Sequence, residues 1–289
     1  MENAEVKNLA RRLFKSLIPE AEGRWMVLSG LAIVIFVLLL ALLAEFIAPY
    51  NPTKSTGDVL APPSLKHPMG TDNLGRDVLS RVIFGSRVVL MVVFTASLLS
   101  MSIGVPLGLI SGYFGGKLDR TLSMLMDSMY AFPSLILAIA IAAVLGPSIL
   151  NAMVAISVVY VPTYFRMIRG QTLSIKSRLF VEAAKAMGAG HFKILSRYIL
   201  PNIVTTVIVV FSLSVADAIL TEAGLSFLGF IVTAPTPDWG YDLSAGKPYL
   251  PAGYWWMITF PGMMVMILAL GFALIGEGLS ELYAPRGER

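Results

Sequence analysis

Few side chains in this sequence have the type and spacing that covalent chemistry needs. The 289 residues include two histidines and no cysteine, which excludes disulfides, thiol nucleophiles and cysteine-held metals. His67 and His191 are far apart, neither sits in a metal-ligand pattern, and no H-E-x-x-H or G-x-S-x-G occurs. Gly116-Lys117 lacks the upstream glycine and the following Ser or Thr of a phosphate-binding loop. The chain itself is therefore not expected to hydrolyse ATP.

The informative spacing is non-covalent. Glu182-Ala183-Ala184-Lys185-Ala186-Met187-Gly188, continuing through His191 to Leu200-Pro201, is a polar, basic island between long apolar runs. Ser177 is placed to cap a short helix by offering its oxygen to free backbone N–H groups. Gly188 is placed to stop it, since glycine readily takes positive φ. A second short helix is expected over 191–199, with Pro201 opening the next membrane helix. The island is too short for a domain and too polar for lipid, and reads as a rigid knob on which a soluble partner docks.

Ionisable and kinking residues inside the apolar runs are the other candidates for a path or gate. Asp127 follows Arg120 by seven residues on nearly the same helical face, which suggests an ion pair near the cytoplasmic interface, or else a gate. Asp217 and Glu222 belong to the outer half of their helix. At roughly 100° per residue they lie about 140° apart, so they do not form one carboxylate pair. A solvated vestibule or a helix-end contact suits both. Pro133 and Pro162 each interrupt a helix, and bent helices suit a bundle with an internal path.

These residues need a membrane scaffold. The composition is 56% hydrophobic and 14% charged, with mean hydropathy +0.76, well below the charge of a soluble domain. The net charge of +4 then records topology and not nucleic-acid binding. The run from Trp25 to Ala44 is too long for a signal-peptide core and reads as an uncleaved anchor. An all-α, polytopic protein follows. A leader over 1–24, its apolar residues at helical spacing, is expected on the membrane surface. The first membrane helix spans 25–49. An external loop over 50–86 carries a short interfacial helix at 74–84. A core over 87–276 holds five more membrane helices, near 88–112, 121–145, 151–172, 200–222 and 254–276, with the knob at about 177–199, and a tail covers 277–289. Of the 22 Lys and Arg residues, sixteen fall on the side of the N-terminus. The positive-inside rule therefore places both termini and the knob in the cytoplasm of a cell-membrane protein.

Three stretches carry a family resemblance. Glu182-Ala183-Ala184, Gly188 and Leu200-Pro201 resemble the E-A-A…G…I-x-L-P coupling motif of permease subunits in bacterial and archaeal ABC importers, with Tyr198 at the position that usually holds isoleucine or histidine. His67-Pro68-Met69-Gly70-Thr71-Asp72-Asn73-Leu74-Gly75-Arg76-Asp77 is similar to the external motif of the C-type permease in the dipeptide/oligopeptide/nickel branch. Glu222-Ala223-Gly224-Leu225-Ser226-Phe227-Leu228-Gly229 with Pro237-Asp238-Trp239-Gly240 is similar to a second. The weakest match is Gly278-Leu279 with Pro285-Arg286. The resemblance implies a type I, MetI-like bundle of six membrane helices in lipid. It also implies a homologous second permease, two cytoplasmic ATPases and an external solute-binding protein. ATP and Mg would be bound by the ATPases, with no cofactor or metal in this chain. Glu182, Ala183, Ala184, Gly188, Leu200 and Pro201 would then couple the bundle to an ATPase. Gly70, Thr71, Asp72, Gly75, Arg76 and Asp77 would form the external motif. Peptides are the implied substrates, with oligosaccharides or nickel as alternatives for the same machinery. An ion-gradient transporter would need deep acids and inverted repeats, which the sequence does not clearly contain.

Overall fold

The computed structural model describes the backbone of residues 2–283 and the side chains of residues 22–283. Among these residues the chain is all-α. Helix α1 (Glu2–Leu42) leads through the short α2 (Ala44–Ile47) to a long loop over 48–77, and α3 (Val78–Phe114) returns across the bundle. There follow α4 (Gly116–Tyr130), α5 (Ser134–Leu145) and α6 (Ile149–Lys176). The polar island comprises α7 (Leu179–Ala186), α8 (His191–Lys193) and a π-helical turn (Ile194–Ile199). After α9 (Leu200–Phe227), α10 (Trp239–Gly246) and a 3-10 turn (Lys247–Ala252), α11 (Trp256–Tyr283) completes the described chain. Five runs are long and apolar enough to cross a membrane, and α4 with α5 makes a sixth as one span bent by 91°. The expected count of six stands.

Small residues set the packing. Gly104, Gly108 and Gly112 form one stripe of α3 pressed on α6. A Cβ there would come within 2.6 Å of Tyr164 Cβ, 2.7 Å of the Phe165 carbonyl oxygen and 2.8 Å of that of Arg169. Close backbone approach of this kind replaces the hydrophobic drive that lipid cannot supply. The same device joins α1 to α11, where a Cβ on Gly30 would lie 2.5 Å from the Gly271 carbonyl oxygen.

Several local expectations are corrected. No separate interfacial helix occupies 74–84, because Asp77 caps α3 directly, its carboxylate accepting from Ser80 N–H at 2.8 Å. Val78 and Val82, expected on a membrane surface, are buried. The span expected over 121–145 is two helices, broken at 131–133 before Pro133, which lacks the N–H needed to continue the ladder. In contrast α6 runs on through Pro162, which is buried and reaches no open surface. The short helix of the island starts at Leu179, two residues beyond Ser177, but Ser177 does not cap it: its hydroxyl donates back to the Ser174 carbonyl. No separate helix ends at Ile199. His191–Phe227 is one continuous run, and Leu200 N–H donates to the Leu195 carbonyl in a π-type bond that absorbs the missing donor of Pro201. The leader's apolar face and the Pro285-Arg286 end of the tail lie outside the residues whose side chains are described.

Candidate functional site

The island is built as a knob. Val181 and Ala184, three residues apart on α7, are fully buried, and Val181 joins Ile194 and Ile199 in the core of the bundle. The helix stops because Met187 and Gly188 N–H groups close on the Ala183 and Lys185 carbonyls, with Gly188 at φ +82°. The Ala189 N–H then reaches back to the Ala184 carbonyl at 3.0 Å, completing the helix stop. Tyr198 is half-buried against the same core.

The opposite face of the knob is unfinished. Glu182, Ala183 and Lys185 are exposed, and with them are large apolar side chains: Leu179 is 83% exposed, Met187 78% and Phe192 84%. Apolar side chains grouped on a polar projection mark an interaction surface. Tyr113 and His191 fix the knob's position. The phenolic oxygen of Tyr113 lies 2.9 Å from His191 Nδ1, and the Lys176 and Lys185 ammonium groups stand 5.7 and 5.5 Å from the Tyr113 ring centre. In the sequence nothing marks Tyr113 as a partner of His191, 78 residues away. Its one signal was an aromatic residue beside a glycine pair at a helix end.

At the other end of His191–Phe227 the external motifs interlock. Asp72 accepts from Leu74 and Arg76 N–H groups through Oδ1 and pairs with the Arg76 guanidinium. Gly75, at φ +74°, makes the turn between them. Thr71 donates to the Asp58 carbonyl and its own carbonyl accepts from Trp256 Nε1 at 3.0 Å. Gly70 leaves room for that indole, since a Cβ would lie 2.7 Å from it. Asp77 Oδ1 faces His67 Nδ1 at 2.9 Å. Arg81, buried, pairs with Asp242 and donates to the carbonyls of Pro52 and Pro235. Burial pushes the Asp242 carboxyl up, to about 6, against the pull of that guanidinium. Trp239 is fully buried over Gly85 and donates to the Val82 carbonyl at 2.9 Å. The second motif closes on the first, because Asp238 caps α10 and accepts from the Ser226 hydroxyl. The two motifs form a cap that holds the Pro52 and Pro235 loops and α10 to the start of α3.

The candidate path residues separate. Asp217 is exposed and accepts from the Tyr160 hydroxyl at 2.7 Å, across the α6–α9 seam. Glu222 is fully buried near the C-terminal end of α9 with neither carboxylate oxygen hydrogen-bonded, which corrects the expectation of a solvated vestibule. As expected, the two do not pair. Asp127 does not pair with Arg120. Its partner is Arg166 of α6, at 2.8 Å, whose guanidinium also lies 4.0 Å above the Tyr130 ring. Spacing along one helix encodes only that helix's own neighbours, not a residue arriving from another. Beside this pair, Asp119 and Arg169 make a two-point pair with Ser111 as a third partner. An open groove of about 710 Å³ runs along Asp119, Arg120, Ser123, Asp127, Ser128 and Arg169. Among the described residues no group of three His, Cys, Asp or Glu is placed to hold a metal.

Comparison with known proteins agrees with this geometry. Residues 104–287 match the family described as "Binding-protein-dependent transport system inner membrane component", and residues 24–63 match "N-terminal TM domain of oligopeptide transport permease C". The dipeptide transport system permease protein DppC of Haemophilus influenzae is 39% identical over 266 residues, covering 90% of each chain. That of Alkalihalophilus pseudofirmus is 39% identical over 96% of this chain and 90% of its own. The glutathione transport system permease protein GsiD of Pectobacterium atrosepticum is 36% identical over 87% of this chain and 85% of its own. Among solved structures, a chain of the inward-facing MetNI methionine ABC transporter superposes with a TM-score of 0.57 at 21% identity, covering 69% of this chain and 94% of that one. With its projecting polar knob and membrane-helix bundle, this multi-pass membrane protein belongs to the binding-protein-dependent transport system inner membrane component family.

Proposed function

We propose that this chain is one of two permease subunits of an ATP-driven importer of short peptides. The observation that carries this reading is the 39% identity to dipeptide permeases over 90% of both chains. In this reading a homologous permease supplies the other half of the path, and an external binding protein delivers the peptide. Two cytoplasmic ATPases bind ATP and Mg, both termini face the cytoplasm, and this chain performs no catalysis.

The coupling step follows from the knob's construction. Glu182, Ala183 and Gly188 would seat in a groove on one ATPase, with Leu179, Met187 and Phe192 supplying apolar area, whereas Ala184, expected among the coupling contacts, is fully buried on the inner face of α7. Because Val181 and Ala184 lock α7 to the bundle and His191–Phe227 is continuous, a displacement of the knob moves a rod of roughly 55 Å at 1.5 Å per residue. Leu200 and Pro201 belong to that rod, at the π-type turn. ATPase closure would thus become rigid-body motion of α9 against its neighbours. The test is uptake of a labelled dipeptide into proteoliposomes holding the four-subunit complex and its binding protein. ATP-dependent uptake supports the reading. Uptake of an oligosaccharide or nickel in place of peptide redirects the substrate, and gradient-driven uptake without ATPases overturns the importer.

A further inference from the structure

The Asp127–Arg166 pair differs from its neighbour in a way that structural ion pairs do not require. Asp119–Arg169 is a two-point pair, shielded and braced by Ser111. The Asp127–Arg166 bond is single, and its side chains are 61% and 51% exposed. Both helices belong to membrane spans. Exposed charges at that depth face water or protein, never lipid. Immediately beyond Asp127 the span breaks. Tyr130, Ala131, Phe132 and Pro133 are exposed at the 91° bend, where carbonyls at the end of α4 lose their helical donors. Broken backbone at membrane depth is tolerated where it lines a water-filled cavity or is covered by protein. Asp127 lines one open groove with Ser123 and Ser128, and Arg166 reaches Asp127 there from α6.

We infer that Asp127 and Arg166 form a two-sign subsite on the translocation path that contacts the charged groups of a passing peptide. This deepens the importer reading and rests on it. Charge complementarity selects the occupant. A zwitterionic peptide presents one ammonium to the carboxylate and one carboxylate to the guanidinium. An exposed ion pair is held by only about 0–1 kcal/mol, so a peptide can part it and the pair can re-form behind it. Asp119–Arg169, better satisfied, stays closed and holds α4 to α6.

Two measurements test the subsite in the assembled four-subunit complex with saturating binding protein. The chain has no cysteine, so Ser128→Cys provides a unique site in it, read by mass spectrometry of this subunit. A cationic, membrane-impermeant methanethiosulfonate is expected to modify it in the transporting complex. An unreactive cysteine, covered by the partner permease or by lipid, overturns the assignment. Uptake of alanyl-alanine, lysyl-alanine and glutamyl-alanine is then compared. Asp127→Asn is expected to lower lysyl-alanine uptake relative to alanyl-alanine by about two- to fivefold, and Arg166→Gln to lower glutamyl-alanine uptake similarly, the scale of one exposed charge contact. Equal losses for all three peptides, or no loss, overturn the subsite while leaving the importer intact. A wild-type complex that takes up none of the three overturns the peptide-importer reading itself, and the subsite with it.

Discussion

The two ends of the run His191–Phe227 are built on opposite rules. At the C-terminal end, Arg81, Asp77, His67, Glu222 and Asp238 are all buried: Arg81 meets Asp242 from far along the chain, His67 meets Asp77, and Asp238 meets Ser226, while neither Glu222 oxygen has a hydrogen-bond partner. At the N-terminal end, Glu182 and Lys185 are exposed beside bare Leu179, Met187 and Phe192. The cap has closed on itself, so its motif residues specify structure. The knob has not, so its residues are available to a partner. A motif therefore does not declare its role by being recognisable: Arg76 and Glu182 stand in equally recognisable stretches, and only burial tells them apart.

The sharpest way to break the contrast is to damage the cap. Arg81→Met leaves Asp242 buried without its counter-charge and is expected to destabilise the protein by about 3–5 kcal/mol, read as a lower unfolding temperature of the purified complex. Pairing it with Asp242→Leu should recover much of that loss, because a buried ion pair and a packed apolar pair are often nearly equivalent. Trp239→Ala removes a fully buried indole and its bond to the Val82 carbonyl, and should cost about 3–5 kcal/mol in the same assay. Tyr113→Phe is a smaller cut. It removes the hydroxyl that meets His191 and should lower stability by about 1 kcal/mol, while loosening the knob enough to reduce transport per ATP. Glu182→Arg, on the exposed face, should leave unfolding within about 0.5 kcal/mol of wild type.

Periodicity and composition carried the bundle, because lipid forces apolar runs of a fixed length and leaves helices as the form that satisfies the backbone. The knob was legible too, since Gly188 and the polarity of 182–193 interrupt those runs. What stayed hidden was long-range pairing. Arg81 and Asp242 are 161 residues apart, and Arg166 reaches Asp127 from another helix; no helical spacing encodes either. The start of α3 was misplaced for a related reason. Asp77 caps the helix in a buried setting, whereas the polar residues around it resembled a solvated loop. Pro133 and Pro162 looked equivalent in sequence, yet one span breaks and the other continues. The difference lies in surroundings: Pro162 is packed inside the bundle, and Pro133 is exposed at the bend.

The most direct measurement of the knob's role is the ratio of peptide imported to ATP hydrolysed by the reconstituted complex carrying Glu182→Arg, with unfolding temperature recorded alongside. The expected result is unchanged stability and a collapse of that ratio, as the reversed charge unseats the knob from its ATPase. A Glu182→Arg complex that imports peptide with the wild-type ratio would contradict the coupling role.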